Sequence, residues 1–220
     1  MFRYLFIVMI LVCSGTVASE KIIVGISGGS GSGKTTLAQK IKEACHGRAV
    51  LLCQDAYYKD FSHLSLEERN EINFDHPDSL DFSLLRQHIL DLKNDRAVQK
   101  PHYDFCTHAR QKATEALIPA QIIIVEGILL FAVPEMLDLF DIKIFIDTED
   151  DIRLLRRIER DIKERGRDLR SVTDQYIKTV KPMYDQFVRT SKQHADVVVL
   201  HGAENAMALS VILSKLRESI

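Results

Sequence analysis

The 220-residue chain has no tryptophan, five prolines and only four cysteines. Cys13, Cys45, Cys53 and Cys106 form no Cys-x-x-Cys and no pair with metal-ligand spacing, which argues against a zinc module and a disulfide framework and suits reduced, mostly buried thiols. An excess of charge of either sign is also missing. The formal net charge is −2, so nothing marks the whole chain as a binder of nucleic acid or of a membrane surface. There are no internal repeats and no low-complexity tracts. The apolar stretch from Tyr4 to Cys13 is too short for a membrane span. What remains is 46% hydrophobic and 27% charged residues, an ordinary balance for one soluble domain with a sizeable core.

The first nineteen residues stand apart. MFRYLFIVMILVCSGTVAS has one early arginine, an apolar stretch and then small residues, the pattern of a secretory signal with cleavage near Ala18-Ser19. The valine before Cys13 makes a poor lipoprotein signal. A misassigned start, with translation from Met9 or later, and an apolar extension are the other readings. The domain organisation is therefore a signal-like or misassigned segment at 1–19 and a single domain at 20–220.

Short apolar runs at 21–27, 49–53, 122–125, 142–146 and 196–200 read as strands. Helical patterns at 34–46, 81–92, 148–164, 171–191 and 203–216 alternate with them, with Ser79 or Asp81 as a cap for the second. Strands that are apolar throughout, alternating with helices, predict an α/β fold built on a five-stranded parallel sheet covered on both faces. The excursion from about 55 to 118 breaks the alternation. It holds a helical turn or two at 61–70 and, at 98–117 around Pro101, a hairpin or loop. Irregular insertions of this kind carry specificity.

Gly28-Gly29-Ser30-Gly31-Ser32-Gly33-Lys34-Thr35, followed by Thr36, fits G-x-x-x-x-G-K-[ST] between a predicted strand and a predicted helix. Glycines let backbone N–H groups converge on an anion, and the helix N-terminus adds partial positive charge. Lys34 would reach the β- and γ-phosphates of a nucleoside triphosphate, and the Thr35 hydroxyl would ligate Mg²⁺. Such a loop does not say where the phosphoryl group goes. Asp55, at the carboxyl end of the second strand, is placed to take a proton from an acceptor hydroxyl. Glu126 closes the strand IIIVE and is placed to help hold Mg²⁺. A solvated strand end is the alternative at both positions.

RLLRRIERDIKERGRD puts Arg153, Arg156, Arg157 and Arg160 on two turns of one helix. Glu159, Asp161 and Glu164 offer acidic neighbours, so a solvated surface helix is one reading. Gly166 between Arg165 and Arg167 favours the other, a lid folding arginines over a triphosphate and excluding water.

Taken together, GISGGSGSGKTT, QDAYYKD, NFDHPDSLD, PHYDFCTHAR, VEGILLF, DTEDDIRLLRRIERDIKERGRD and QYIKTVKPMYDQFVRTSKQHADVVV resemble the uridine (uridine-cytidine) kinases, over about residues 21–218. These belong to the P-loop kinases, with phosphoribulokinase and one class of pantothenate kinase. The resemblance implies a P-loop fold with a nucleoside-binding β-hairpin and an arginine-rich lid. It implies phosphorylation of uridine and cytidine to their monophosphates, with Mg²⁺ and ATP or GTP as donor. It implies Asp55 as general base toward the ribose 5′-hydroxyl, Asp75 and Gln175 as ribose contacts, and Tyr103 and His108 as readers of the pyrimidine. Arg157 would face nucleoside and phosphate, Arg167 the ribose, and Arg160 and Arg165 the triphosphate. Histidine can serve carbonyl or amine partners, which suits both uracil and cytosine. Family members are commonly tetramers and work in the cytosol, where ATP is. That favours a misassigned start or uncleaved extension over export, with membrane tethering left open. Ala56 departs from the family's usual residue beside the base, with little consequence expected. A sister kinase acting on a sugar phosphate or pantothenate, a nucleotide-dependent regulatory binder and an exported protein with a repurposed fold remain as alternatives.

Overall fold

The computed structural model describes residues 20–218; the signal-like reading of residues 1–19 lies outside the described residues. Five strands, β1 (Ile22–Gly28), β2 (Ala49–Cys53), β5 (Ile122–Glu126), β6 (Ile142–Asp147) and β7 (Val197–Leu200), form one parallel sheet in the order β2-β5-β1-β6-β7. β1 lies at the centre, so its IIVGISG run is covered on both faces and flanked on both edges, which is why it is apolar throughout rather than alternating. At Gly25 a Cβ would lie 2.8 Å from the Phe140 ring, so only glycine lets Phe131 and Phe140 close over the strand.

Each face of the sheet has its own core. On one, Leu37 and Ile41 of α1 (Lys34–Ala44) and Ile212 and Leu216 of α9 (Ala206–Arg217) cover Val24, Ile26, Ile124 and Ile144. On the other, Leu85 and Ile89 of α3 (Phe82–Lys93), Met136 of α4 (Pro134–Leu137), Tyr184 and Val188 cover Ile23, Ile123 and Val125. Asp81 caps α3 by accepting from Leu84 N at 3.0 Å. The 98–117 segment is the hairpin β3 (Val98–Asp104) and β4 (Ala109–Leu117), with its register shifted between Pro101 and Tyr103.

Four boundaries differ from the periodicity. The helix expected within 61–70 is only α2 (Leu66–Asn70), set by a Ser65–Glu68 capping box. α5 is Asp150–Arg165, ending at Gly166 in the left-handed region. The 171–191 helix starts earlier, as α6 (Leu169–Gln175), because Asp168 caps it. It then runs through two π-helical turns, Tyr176–Val180 and Tyr184–Val188, around α7 (Lys181–Met183), to α8 (Arg189–Ser191). Pro182 supplies no N–H, and it falls between the π turns, where the ordinary helical ladder is already interrupted. The last helix starts at Ala206 because Asn205 caps it. Among the described residues no helix is long and apolar enough to cross a membrane.

Candidate active site

The glycine-rich loop leaves β1 and opens α1. Gly33 caps α1 in a left-handed conformation with no side chain bonded to the helix end, which leaves the first-turn N–H groups available to an anion. Ser32 Oγ is buried without a partner. The loop is buttressed by α5. The Arg153 side chain is buried, donates from Nε to Thr148 O at 3.0 Å and lies 3.8 Å over the Tyr184 ring. A Cβ on Gly29 would meet the Arg153 guanidinium, and one on Gly31 its backbone carbonyl. Thr148 Oγ1 donates to Ser32 O at 3.1 Å from the same side. Thr36 is exposed.

Parallel register sets Cys53 opposite Glu126, so the ends of β2 and β5 meet. A 3₁₀ turn, Gln54–Tyr57, follows β2 and carries Asp55. Gln54 locks the two ends together: it is buried, its Oε1 accepts from Leu129 N at 3.0 Å, and it fills the space a Cβ on Gly127 would need. Thr35 Oγ1 donates to Glu126 Oε1 at 3.1 Å, and Lys34 Nζ stands 4.0 Å from Oε2. Burial raises the Glu126 pKa; Lys34 opposes the shift and Asp55 adds to it. Glu126 Oε2 is buried with no hydrogen-bond partner. A buried anionic oxygen without a donor, next to a threonine hydroxyl, fits a hard cation. Among the described residues no cluster of three His, Cys, Asp or Glu forms a ready-made cation cage, so such an ion would need oxygens from a ligand.

The other end of the cavity is aromatic. Phe74 stacks on His108 at 4.7 Å, and Tyr103 lies 4.8 Å from Tyr58 and 5.3 Å from Phe105. Arg110 anchors the hairpin through its Nε bond to Tyr58 O at 3.0 Å. His108 adopts φ 49°, which turns its ring inward at the start of β4. Burial, then Arg167 and Arg165, lower its pKa, so the ring is neutral at pH 7. Tyr103 Oη and His108 Nδ1 are both buried without partners. Asp75 is buried beside them, and its Oδ2 accepts from Thr179 Oγ1 at 3.3 Å.

Between the two ends lies the arginine cluster. Arg157 is buried; its Nη1 donates to Ser30 Oγ at 3.0 Å and its Nη2 to Gln175 Oε1 at 2.9 Å. Arg160 Nη2 reaches Ser30 Oγ at 3.4 Å. Arg167 also donates to Gln175, and Arg165 lies 4.0 Å over the Phe105 ring. The solvated-helix alternative fails for this face, because Arg153, Arg157 and Asp161 are buried. Ser30, Lys34, Asp55, Asp75, Tyr103, His108, Arg157, Arg160, Arg165, Arg167 and Gln175 line one cavity.

The sequence profile of the Phosphoribulokinase / Uridine kinase family matches residues 23–208. A uridine kinase of Ligilactobacillus salivarius is 48% identical over 201 residues, 91% of this chain and 94% of that one. A uridine kinase of Lactobacillus johnsonii is 47% identical over 202 residues, 91% and 96% of the two chains. The chain belongs to the phosphoribulokinase / uridine kinase family. A solved phosphoribulokinase from Rhodobacter spheroides has the same fold, with a TM-score of 0.63 at 15% identity over 83% of this chain and 71% of that one.

In this member of the phosphoribulokinase / uridine kinase family, four residues of the cavity wall were missed by the sequence reading: Tyr58, Phe74, Phe105 and Ile128. A signal for three of them exists. Tyr58, Phe74 and Phe105 are aromatics inside the irregular 55–118 excursion, where no sheet or helix period accounts for them. Gln54 was also missed; only contact with Gly127 reveals its purpose.

Proposed function

We propose that this chain is an enzyme that transfers the γ-phosphoryl group of ATP to the 5′-hydroxyl of uridine or cytidine, giving ADP and UMP or CMP. The observation that carries the reading is one cavity with a phosphate end and an aromatic, hydrogen-bonding end. Lys34 lies at the first, the unpaired Tyr103 Oη and His108 Nδ1 at the second, and the arginines between them. A flat base with polar edges satisfies both orphan groups, and leaving them unpaired in the presence of the wrong acceptor is costly.

The glycine loop and the α1 N-terminus bind the triphosphate, with Lys34 at its β- and γ-phosphates. Tyr103 packs against the base and His108 bonds its 4-position; a neutral imidazole can donate or accept, which admits both pyrimidines. Asp75, Gln175 and Arg167 hold the ribose. Asp55 accepts the 5′-hydroxyl proton as the O5′–Pγ bond forms and the bond from Pγ to the bridging oxygen breaks. Arg157, Arg160 and Arg165 stabilise the charge on the transferring group and exclude water, so hydrolysis without an acceptor is suppressed. Thr35 and Glu126 would hold Mg²⁺, which when bound neutralises charge on the β- and γ-oxygens. Dependence on ATP is consistent with a cytosolic site of action.

The test is ADP release with Mg-ATP and, in turn, uridine, cytidine, thymidine, adenosine, ribulose 5-phosphate and pantothenate. Release that depends on uridine and cytidine alone is expected. Release indifferent to acceptor would mean a nucleotide switch, and release with another acceptor would mean that Tyr103 and His108 read something else.

A further inference from the structure

Asp161 has no accessible surface, yet it is a carboxylate surrounded by three guanidinium groups. Arg160 meets its Oδ1 at 2.8 Å, Arg165 the same oxygen at 3.4 Å, and Arg157 its Oδ2 at 3.4 Å. From that one anchor two of the side chains reach the glycine loop and the third the aromatic wall. Arg157 reaches Ser30 and Gln175, Arg160 reaches Ser30, and Arg165 covers Phe105. The backbone of the same residue holds the lid: Asp161 O accepts from Gly166 N at the helix end and from Arg167 N at 3.2 Å. Three like charges converging on one cavity repel, and arginine side chains have many rotamers. One fixed buried anion offsets part of that repulsion and leaves a surplus of two positive charges, by simple count, facing the loop.

We infer that Asp161 is a positioning residue for phosphoryl transfer: it is the resident counter-charge that aims Arg157, Arg160 and Arg165 before the triphosphate arrives. The inference rests on the kinase reading above. It carries a sign that distinguishes it from a structural or a simple electrostatic role. A negative charge near a triphosphate weakens ground-state binding, so removing it should not weaken that binding. Loss of aim, in contrast, lowers the rate of the chemical step.

The test compares wild type, Asp161→Asn and Asp161→Glu in the full chain. Two readouts are taken, calorimetric affinity for a non-hydrolysable ATP analogue and turnover with uridine. For Asp161→Asn, kcat is expected to fall by up to about a hundredfold, the loss that a misplacement of about 1 Å can cause. Analogue affinity should stay unchanged or tighten, and Asp161→Glu, which keeps the charge, should recover part of the rate. A kcat within twofold of wild type would overturn the inference. So would a weakened analogue affinity, or a rate loss accounted for by the unfolded fraction in the same sample. Should Asp161→Asn not fold, Asp161→Glu alone decides, by the same split between rate and affinity. Absence of uridine turnover in wild type would sink the kinase reading and the positioning role with it, whereas normal wild-type turnover with an undiminished Asp161→Asn rate would overturn the positioning role alone.

Discussion

Asp75 is a carboxylate held away from water. Burial raises its pKa, against the pull of Arg157 and the Thr179 hydroxyl. The folded protein therefore keeps a proton that the unfolded chain, near the ordinary value of 3.8, has released. The stability this group contributes is fully present below the unfolded value and is lost as pH rises through the raised folded one. At pH 7, far above the unfolded value, keeping this carboxyl away from water costs stability, which on the proposed reading ribose hydroxyls relieve by donating to it. Asp75→Asn is therefore expected to raise the melting temperature of the unliganded protein at pH 7 and to weaken uridine binding, by calorimetry on the same sample. A lowered melting temperature would mean that Arg157 and Thr179 already more than balance the buried charge. Asp161 teaches the complementary lesson. Its i±4 arginines made it look like a solvated helix partner, because spacing along a helix does not reveal what the face meets. The places of Lys34, Asp55 and Glu126 were legible because glycine loops and strand ends fall at fixed positions in a parallel sheet; that Asp55 lines the cavity and Glu126 is buried against Thr35 was not.

At the scale of elements, the loop and α5 are one unit. Gly31 has φ 80° and its missing Cβ faces the Arg153 carbonyl, while Gly166 has φ 64° with nothing within 4 Å. Both Ala variants pay for left-handed backbone, about 1–2 kcal/mol. Gly31→Ala must also push against helix backbone, so it is expected to be the more destabilising by at least about 1 kcal/mol in urea unfolding. Equal losses would mean that α5 yields and does not brace the loop. The five strands were readable because continuous apolar runs bounded by glycine or acid have few other fates in an alternating chain. The π turns were not, since a local change in helix pitch leaves no period of its own, and Pro182 pointed only to some disturbance. The hairpin was readable as a break in alternation; the aromatics packed on it were not, because Tyr58 and Phe74 reach it from separate segments.

Over the whole molecule, a central strand buried between two cores holds the phosphate loop still. The less regular 55–118 excursion and the end of α5 supply the other walls of the cavity. Cys53, beside the site, has its thiol pushed up to about 12 by burial, then by Glu126, so it is expected to stay protonated and inert toward alkylation in the folded protein. Labelling of Cys106, which is exposed at the hairpin tip, with much slower labelling of Cys53 would fit this; rapid labelling of Cys53 would show that the sheet end opens. The central claim is that phosphate and pyrimidine ends serve one transfer, with Asp55 as the base. Its most direct test is phosphorus NMR of ATP, Mg²⁺ and uridine with wild type and with Asp55→Asn. Wild type should convert ATP and uridine to ADP and uridine 5′-monophosphate in equal amounts, and Asp55→Asn should bind both substrates yet run about 10²–10⁴-fold slower. Inorganic phosphate in place of the monophosphate, or undiminished turnover by Asp55→Asn, would contradict the claim.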